Sequence, residues 1–247
     1  MELTVLGAGP AYSDRPGATG AAYLVRSGAT SILLDLGHGS FPALASRIDP
    51  ATLACVLVSH LHPDHFVDLV PLRHYLRYQF TPPRRVPVRA PAGLAGRIDA
   101  LHDEPGFTAV ALDVTDLEPG PIAIGSFEVE ARRVAHTSNS FAFRVTAAGG
   151  AGLVYSGDCG RASDLDPLVG PGDTLLVEVS FGPGPVPPGA GHLDGPAVGQ
   201  LAGRTRPARV LLTHLQMGFD RDATIASVAA AFDGPVELVD PGFATSV

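Results

Sequence analysis

The 247-residue sequence has no lysine and no tryptophan, only two cysteines, and a shortage of positive charge. All 17 basic residues are arginine; in a chain so rich in Arg, Ala, Gly and Pro this reflects a GC-rich genome rather than a chemical requirement. The net charge of −8 and pI near 5.5 disfavour a general nucleic-acid binder, whose phosphate contacts demand a basic surface. Two cysteines, Cys55 and Cys159, cannot make a disulfide framework, and two free thiols in a chain with ample core suit a reducing cytoplasm. The first residues, Met-Glu-Leu-Thr-Val-Leu, carry an acid and no basic leader, so a signal peptide is not expected. No apolar run approaches the roughly 20 residues a membrane-spanning helix needs. What stands out against these deficits is histidine, with nine residues.

The length suits a single domain over residues 1–247 with a substantial core. Short β-branched or Leu-rich runs predict strands at 3–6, 21–25, 31–35, 54–59, 86–90, 122–124, 127–134, 141–146, 152–156, 174–179, 209–213 and 236–239. Some alternate apolar with polar residues and others are apolar throughout, as one-sided and two-sided burial require. Helical patterns fall between them at 40–47, 64–79, 93–103, 194–204 and 221–232. Two sheets packed face to face with helices on the outside are the expected outcome. The Gly/Pro-rich segment 182–191 can be neither helix nor central strand and is expected to be a surface loop or lid.

The chemistry concentrates in Ser59-His60-Leu61-His62-Pro63-Asp64-His65, directly after an apolar strand. His60 and His62 are two apart in extended backbone and project to one side. Pro63 sets a turn, and Asp64 and His65 open a helix behind it. Four potential ligands within six residues can serve two adjacent ions, and chance yields such a pattern in roughly one comparable chain in a thousand. Three further candidates sit where later apolar strands run out: His136, Asp158 in Ser-Gly-Asp, and His214 in Leu-Leu-Thr-His. A sheet scaffold collects its functional groups at such strand ends.

This pattern resembles the metallo-β-lactamase superfamily of dinuclear metal hydrolases, and the likeness spans nearly the whole chain. The resemblance implies an α+β fold, a four-layer αββα sandwich with the metals at one edge between the sheets. It assigns His60, His62 and His136 to one ion, Asp64, His65 and His214 to the other, and Asp158 to both. Two divalent ions are therefore implied; the imidazole and carboxylate donors suit zinc, with manganese or iron as alternatives.

Glu178 in Leu-Leu-Val-Glu, followed by His192 in Gly-His-Leu-Asp, is similar to the ribonuclease Z-like branch, where a second histidine serves the leaving group. Asp68-Leu69, Arg77-Tyr78 and Ala135-His136-Thr-Ser-Asn-Ser140-Phe141 extend the likeness to small actinobacterial phosphodiesterases that open cyclic AMP. The resemblance implies hydrolysis of a small phosphodiester by a metal-held hydroxide. Asp64, His192 and Glu178 form the catalytic group, with His192 as general acid and Glu178 orienting its ring. Transfer-RNA processing relatives carry a protruding arm between the segments of His136 and Asp158. Only 21 residues separate those positions here, so tRNA is not the expected partner. A soluble cytoplasmic protein, free or as a homodimer, is compatible with this reading.

The acid-free arginine segment, with Arg73, Arg77, Arg84 and Arg85, is either a solvated helix face or an anion and base contact. His38 reads as a surface residue and Cys159 as a small filler beside Asp158. Gly7-Ala-Gly9 lacks the third glycine of a dinucleotide fingerprint, and no G-x-S-x-G elbow is present. Hydrolysis of a thioester, lactone or lactam on the same ligand set is the alternative function, and a non-catalytic metal-bearing interaction protein the third.

Overall fold

In the segment Thr30–Leu34, successive side chains point to opposite faces, yet Ile32, Leu33 and Leu34 are all fully buried. A strand buried on both faces needs a layer on each side, and the computed structural model, which describes residues 1–147 and 150–247, shows both. In chain order the first half comprises β1 (Glu2–Gly7), β2 (Ala22–Ser27), β3 (Thr30–Leu34), α1 (Phe41–Arg47), β4 (Cys55–Leu57), α2 (Pro63–Phe66), α3 (Leu69–Tyr78), β5 (Val86–Ala90), α4 (Leu94–His102) and β6 (Leu112–Asp116). The second half comprises β7 (Gly120–Ile124), β8 (Phe127–Val134), β9 (Ser140–Ala147), β10 (Leu153–Tyr155), β11 (Thr174–Glu178), α5 (Gly195–Thr205), β12 (Arg209–Thr213), α6 (Arg221–Ala229), β13 (Val236–Leu238) and β14 (Ala244–Ser246).

Two seven-stranded sheets result, ordered β14-β1-β2-β3-β4-β5-β6 and β13-β12-β11-β10-β9-β8-β7. Alternation along each strand divides the core into three layers. Leu3, Val5, Ile32, Leu34 and Leu57 meet Phe127, Phe141, Phe143, Leu176 and Leu211 between the sheets. Leu33, Val56 and Val88 turn outward onto α1, α3 and α4 through Leu44, Leu72 and Ile98. Leu175, Val177, Val210 and Leu212 turn outward onto α5 and α6 through Val198, Leu201 and Val228. This is the four-layer αββα sandwich expected from the sequence.

Two strands escaped the sequence reading, β6 and β14. Both lie at or beside a sheet edge and are largely open to solvent, so neither carries a clear apolar pattern. The helix expected over 64–79 is two helices. The Asp68 backbone N–H donates to Leu36 O at 3.1 Å, and its carboxylate accepts from Phe41 N at 2.8 Å. Those bonds fasten the chain to the loop after β3 and interrupt the helical ladder there.

Strands β3 to β6 run parallel, as do β10 to β13. Strand β8 is antiparallel to β9, which is antiparallel to β10, so β8 and β10 point the same way. The segments following β3, β4, β8, β10, β11 and β12 gather at one edge of the sandwich, and hydrogen bonds join them there. Phe141 N donates to Ser59 O, and Tyr155 Oη to Asp35. Among the described residues no helix is long and apolar enough to cross a membrane.

Candidate metal centre

The motif after β4 folds as its spacing suggests. His62 lies in extended backbone, and Pro63 starts α2 with Asp64 in its first turn. The helix is held down by its own backbone. Asp64 O accepts from Ala21 N at 2.9 Å, and a Cβ on Gly37 would sit 1.8 Å from that same oxygen. Glycine is therefore required at 37 for the ligand loop to dock this closely.

Two groups of donors converge. His60 Nε2 lies 3.0 Å from His62 Nδ1, which lies 3.1 Å from His136 Nε2. Asp158 Oδ2 is 3.6 Å from both His60 Nε2 and His136 Nε2. In the second group, His65 Nε2 and His214 Nε2 are 3.3 Å apart, and Asp64 Oδ2 stands 3.7 and 3.3 Å from them. Asp158 Oδ1 is 3.4 Å from His65 Nε2 and 3.5 Å from His214 Nε2. Four donors about 2.1 Å from a tetrahedral ion would be about 3.4 Å apart. Both groups match that spacing, and Asp158 gives one oxygen to each. Asp158 Oδ1 is buried with no hydrogen-bond donor, a cost that a cation at this point removes. The donor set fits two divalent ions, with His60, His62, His136 and Asp158 around one and Asp64, His65 and His214 around the other, to which Asp158 Oδ1 adds a fourth donor.

The charges agree with that assignment. Burial and then the nearby His65 hold His60 well below the ordinary histidine range, so its ring offers a neutral lone pair. Burial, then His136, lowers His62 as well. Burial opposes the charge on Asp158, but the imidazoles of His214, His65 and His60 hold its carboxyl well below the usual range. Burial likewise opposes the charge on Asp64, and the hydrogen bond with His214 overcomes it. His65 is the exception: burial works against its protonation, but Asp158 and Asp35 raise it well above the ordinary value.

Tethers on the far ring nitrogens aim the imidazoles. His136 Nδ1–H donates to Gly191 O at 2.8 Å, and His65 Nδ1–H to Asp35 Oδ2 at 2.7 Å. His60 Nδ1 and His214 Nδ1 lie 3.1 Å from the hydroxyls of Ser59 and Ser180. Each tether leaves Nε2 free to face the centre.

Asp35 is the hub beneath the second group, and the sequence reading assigned it no role. Fully buried, it accepts from Ser59 N, Ser59 Oγ, His65 Nδ1 and Tyr155 Oη at 2.6–2.7 Å. Asp35 and His214 both hold left-handed backbone, at φ 58° and 61°. Such strain in non-glycine residues costs on the order of 1–3 kcal/mol each and persists where the surroundings impose it. Asp35→Asn should weaken metal retention by about 10–100-fold, the usual scale for losing a ligand's hydrogen-bond partner. Competitive titration against a chromophoric chelator measures this, and unchanged affinity would contradict the role.

His192 stands beside the first group. Its Nδ1–H donates to Glu178 Oε1 at 2.9 Å, and its ring lies 4.7 Å from that of His136. Glu178 is buried and also accepts from Cys159 N and Ser180 N, both at 3.0 Å, and from Ser180 Oγ at 2.6 Å. Burial alone would lower His192, but the hydrogen bond and charge of Glu178 outweigh it, so its pKa is raised. Together with His136, Thr137 and Arg161, His192 lines an open cleft of about 430 Å³. The Gly/Pro-rich loop supplies its other wall through Val186, Pro187, Gly189, Ala190 and Gly191.

Other candidates lie in the fold rather than in the centre. Arg73 is buried, stacks 3.7 Å from the Phe107 ring centroid and donates to Phe107 O. Arg85 pairs with Asp113. Arg77 and Arg84 are exposed beside Tyr78 and Phe80. Half-buried His38 gives its carbonyl to Gly20 N. Cys55 and Cys159 are both buried and free, and burial pushes the Cys159 thiol up to about 12.

Comparison with known proteins adds an independent line. A family model described as a beta-lactamase superfamily domain matches residues 30–215, three quarters of the chain. An uncharacterised protein of Mycobacterium tuberculosis is 33% identical over 246 residues, covering 97% of this chain and 89% of its own. Ribonuclease Z of Mycobacterium bovis is 30% identical over 200 residues, covering 72% of this chain and 70% of its own. The crystal structure of the metallo-beta-lactamase fold protein YhfI from Bacillus subtilis superposes with a TM-score of 0.87. That match covers 99% of this chain and 98% of YhfI at 23% identity, which speaks for the fold.

Proposed function

The chain belongs to the β-lactamase superfamily, and from that premise we propose that it is a dinuclear metal-dependent hydrolase of a small phosphodiester, with a cyclic nucleotide as the first candidate substrate. The observation that carries the reading is the Glu178–His192 pair set against the seven-ligand cluster. A phosphodiester differs from a thioester or lactone chiefly in its leaving group. A sugar alkoxide departs poorly unless it is protonated as it leaves, and an imidazolium within reach supplies that proton.

Ions held by His60, His62, Asp64, His65, His136, Asp158 and His214 would supply an acidified water and offset charge on the phosphoryl oxygens. The chain's own groups do the rest. Glu178 fixes the His192 tautomer by taking the Nδ1–H, which leaves Nε2 to carry the transferable proton. Its carboxylate also favours the protonated ring, the form in which a general acid works. Asp64 and Asp158 place two negative charges among the imidazoles and keep the centre attractive to cations.

The named relative Ribonuclease Z acts on RNA, but β9 and β10 here take up 11 of the 21 residues between His136 and Asp158. That leaves no room for an arm to grip tRNA and favours a small substrate, which the cleft beside His192 accommodates.

A panel tests the proposal. Protein loaded with zinc or manganese is assayed on cyclic AMP, bis(p-nitrophenyl) phosphate, an acyl thioester and a lactone. The diesters should be hydrolysed, with the thioester and lactone at least about 100-fold slower in kcat/KM, a gap of roughly 3 kcal/mol in barrier. Turnover of the thioester or lactone with both diesters ignored would overturn it in favour of the alternative hydrolase.

A further inference from the structure

On the flank of His192 formed by the loops after β11 and β12 stands an aromatic pair. The Phe181 and His192 rings have centroids 6.2 Å apart, and Phe219 packs edge-on against Phe181 at 6.1 Å. The two phenylalanines differ in what holds them. Phe219 packs against the outer core of the second sheet, whereas Phe181, half-buried, joins none of the three buried layers of the fold. Phe219 is thus a brace and Phe181 the presented surface. Met217, 44% exposed, extends the apolar character along the loop that follows His214.

The backbone under Phe181 is fixed. Phe181 N donates to Leu193 O at 3.1 Å, Gly184 N to Phe181 O at 2.8 Å, and Gly182 N to Val179 O at 2.9 Å. Gly182 has φ +50°, and a Cβ there would meet the Phe219 ring at 2.7 Å. Glycine at 182 thus lets the brace close behind its neighbour. Phe181 also follows Ser180, whose hydroxyl lies within hydrogen-bond distance of Glu178, His192 and His214, so the ring is next in the chain to a residue tied to the proton donor. The cleft on the other flank is lined by small residues, Thr137, Arg161 and the two histidines, and offers no phenylalanine, tyrosine or tryptophan face. A ring on a fixed backbone, half-buried and so partly open to solvent beside a proton donor, offers a planar group stacking with little ordering cost.

We propose that the solvent-accessible part of the Phe181 ring, braced by Phe219 beside His192, is the subsite for the planar base of a nucleotide substrate. The substrate assignment rests on the phosphodiesterase reading above, while binding of a base to this ring can be measured without turnover.

The test uses Phe181→Leu, which keeps an apolar side chain of similar bulk, and Phe181→Trp, which keeps a stacking face. Melting temperatures of both should match the wild type. Metal-loaded proteins are compared on cyclic AMP and on the 3,5-cyclic phosphate of 1-deoxyribose, the same diester without a base. Phe181→Leu should raise KM for cyclic AMP about tenfold with kcat within about twofold, leave the base-free diester unchanged, and be rescued by Phe181→Trp. In parallel, calorimetry compares AMP with ribose 5-phosphate. The wild type should prefer AMP about tenfold, and Phe181→Leu should erase that preference. Equal effects on both diesters, or an AMP preference that survives Phe181→Leu, would overturn the subsite while leaving the phosphodiesterase reading in place. If no diester is hydrolysed but the AMP preference depends on Phe181, the subsite stands and the phosphodiesterase reading falls.

Discussion

Asp158→Asn is expected to lower turnover of any substrate by about 10³-fold and to reduce bound metal from two ions per chain to one or none. The size follows from geometry. Asp158 faces both donor groups, with Oδ2 toward His60 and His136 and Oδ1 toward His65 and His214. An amide offers one neutral oxygen in place of two that share a negative charge, so one group loses a donor and both lose charge. Lewis-acid stabilisation worth several kcal/mol goes with it, and about 4 kcal/mol corresponds to 10³ in rate. Metal analysis of the purified variant beside its rate checks both halves. A variant with two tightly held ions and near-normal turnover would show that Asp158 does not join the two sites.

His192→Ala should have an effect of comparable size, and a selective one. For a diester whose leaving group is a sugar alkoxide, loss of about 10²–10⁴-fold in kcat is expected, the usual scale for a general acid. For a p-nitrophenolate leaving group, stable without a proton, the loss should be within a few-fold. Equal losses on both substrates would mean that His192 holds the site together rather than delivering a proton. Glu178→Gln adds a test by pH. Glu178 raises the His192 pKa against the opposing effect of burial, so removing its charge lowers that pKa. A general acid works while protonated and fails as pH rises through its pKa. The alkaline limb of the kcat profile should therefore move to lower pH in Glu178→Gln, and an unmoved limb would sever the link between the two residues.

The sequence announced its strands wherever burial is two-sided or cleanly alternating. Cys55–Leu57 is an uninterrupted apolar run because Val56 faces the helices while Cys55 and Leu57 face the second sheet. Strand β14 is open to solvent, so its Ala-Thr-Ser carries no such imprint. Histidine spacing made the ligand candidates visible, since His60, His62, Asp64 and His65 are local and the rest end apolar strands. Asp35 was not visible. It also ends an apolar strand, but its role depends on Tyr155 and His65, which lie 120 and 30 residues away and meet it only once the sheets are packed. Ser180 was hidden for the same reason, because a serine after a strand says nothing until Glu178, His192 and His214 surround it. The break between α2 and α3 was beyond a periodicity argument, because the bond from Asp68 to Leu36 that causes it is long-range.

The proposed chemistry at this fold edge depends on two metal ions held by seven side chains. The most direct measurement is turnover of bis(p-nitrophenyl) phosphate by chelator-stripped protein as zinc or manganese is titrated back, with bound metal counted on the same samples. Negligible turnover in the stripped protein and a plateau at two ions per chain are expected. Full activity after stripping, or a plateau at one ion with the second never binding, would contradict that dependence.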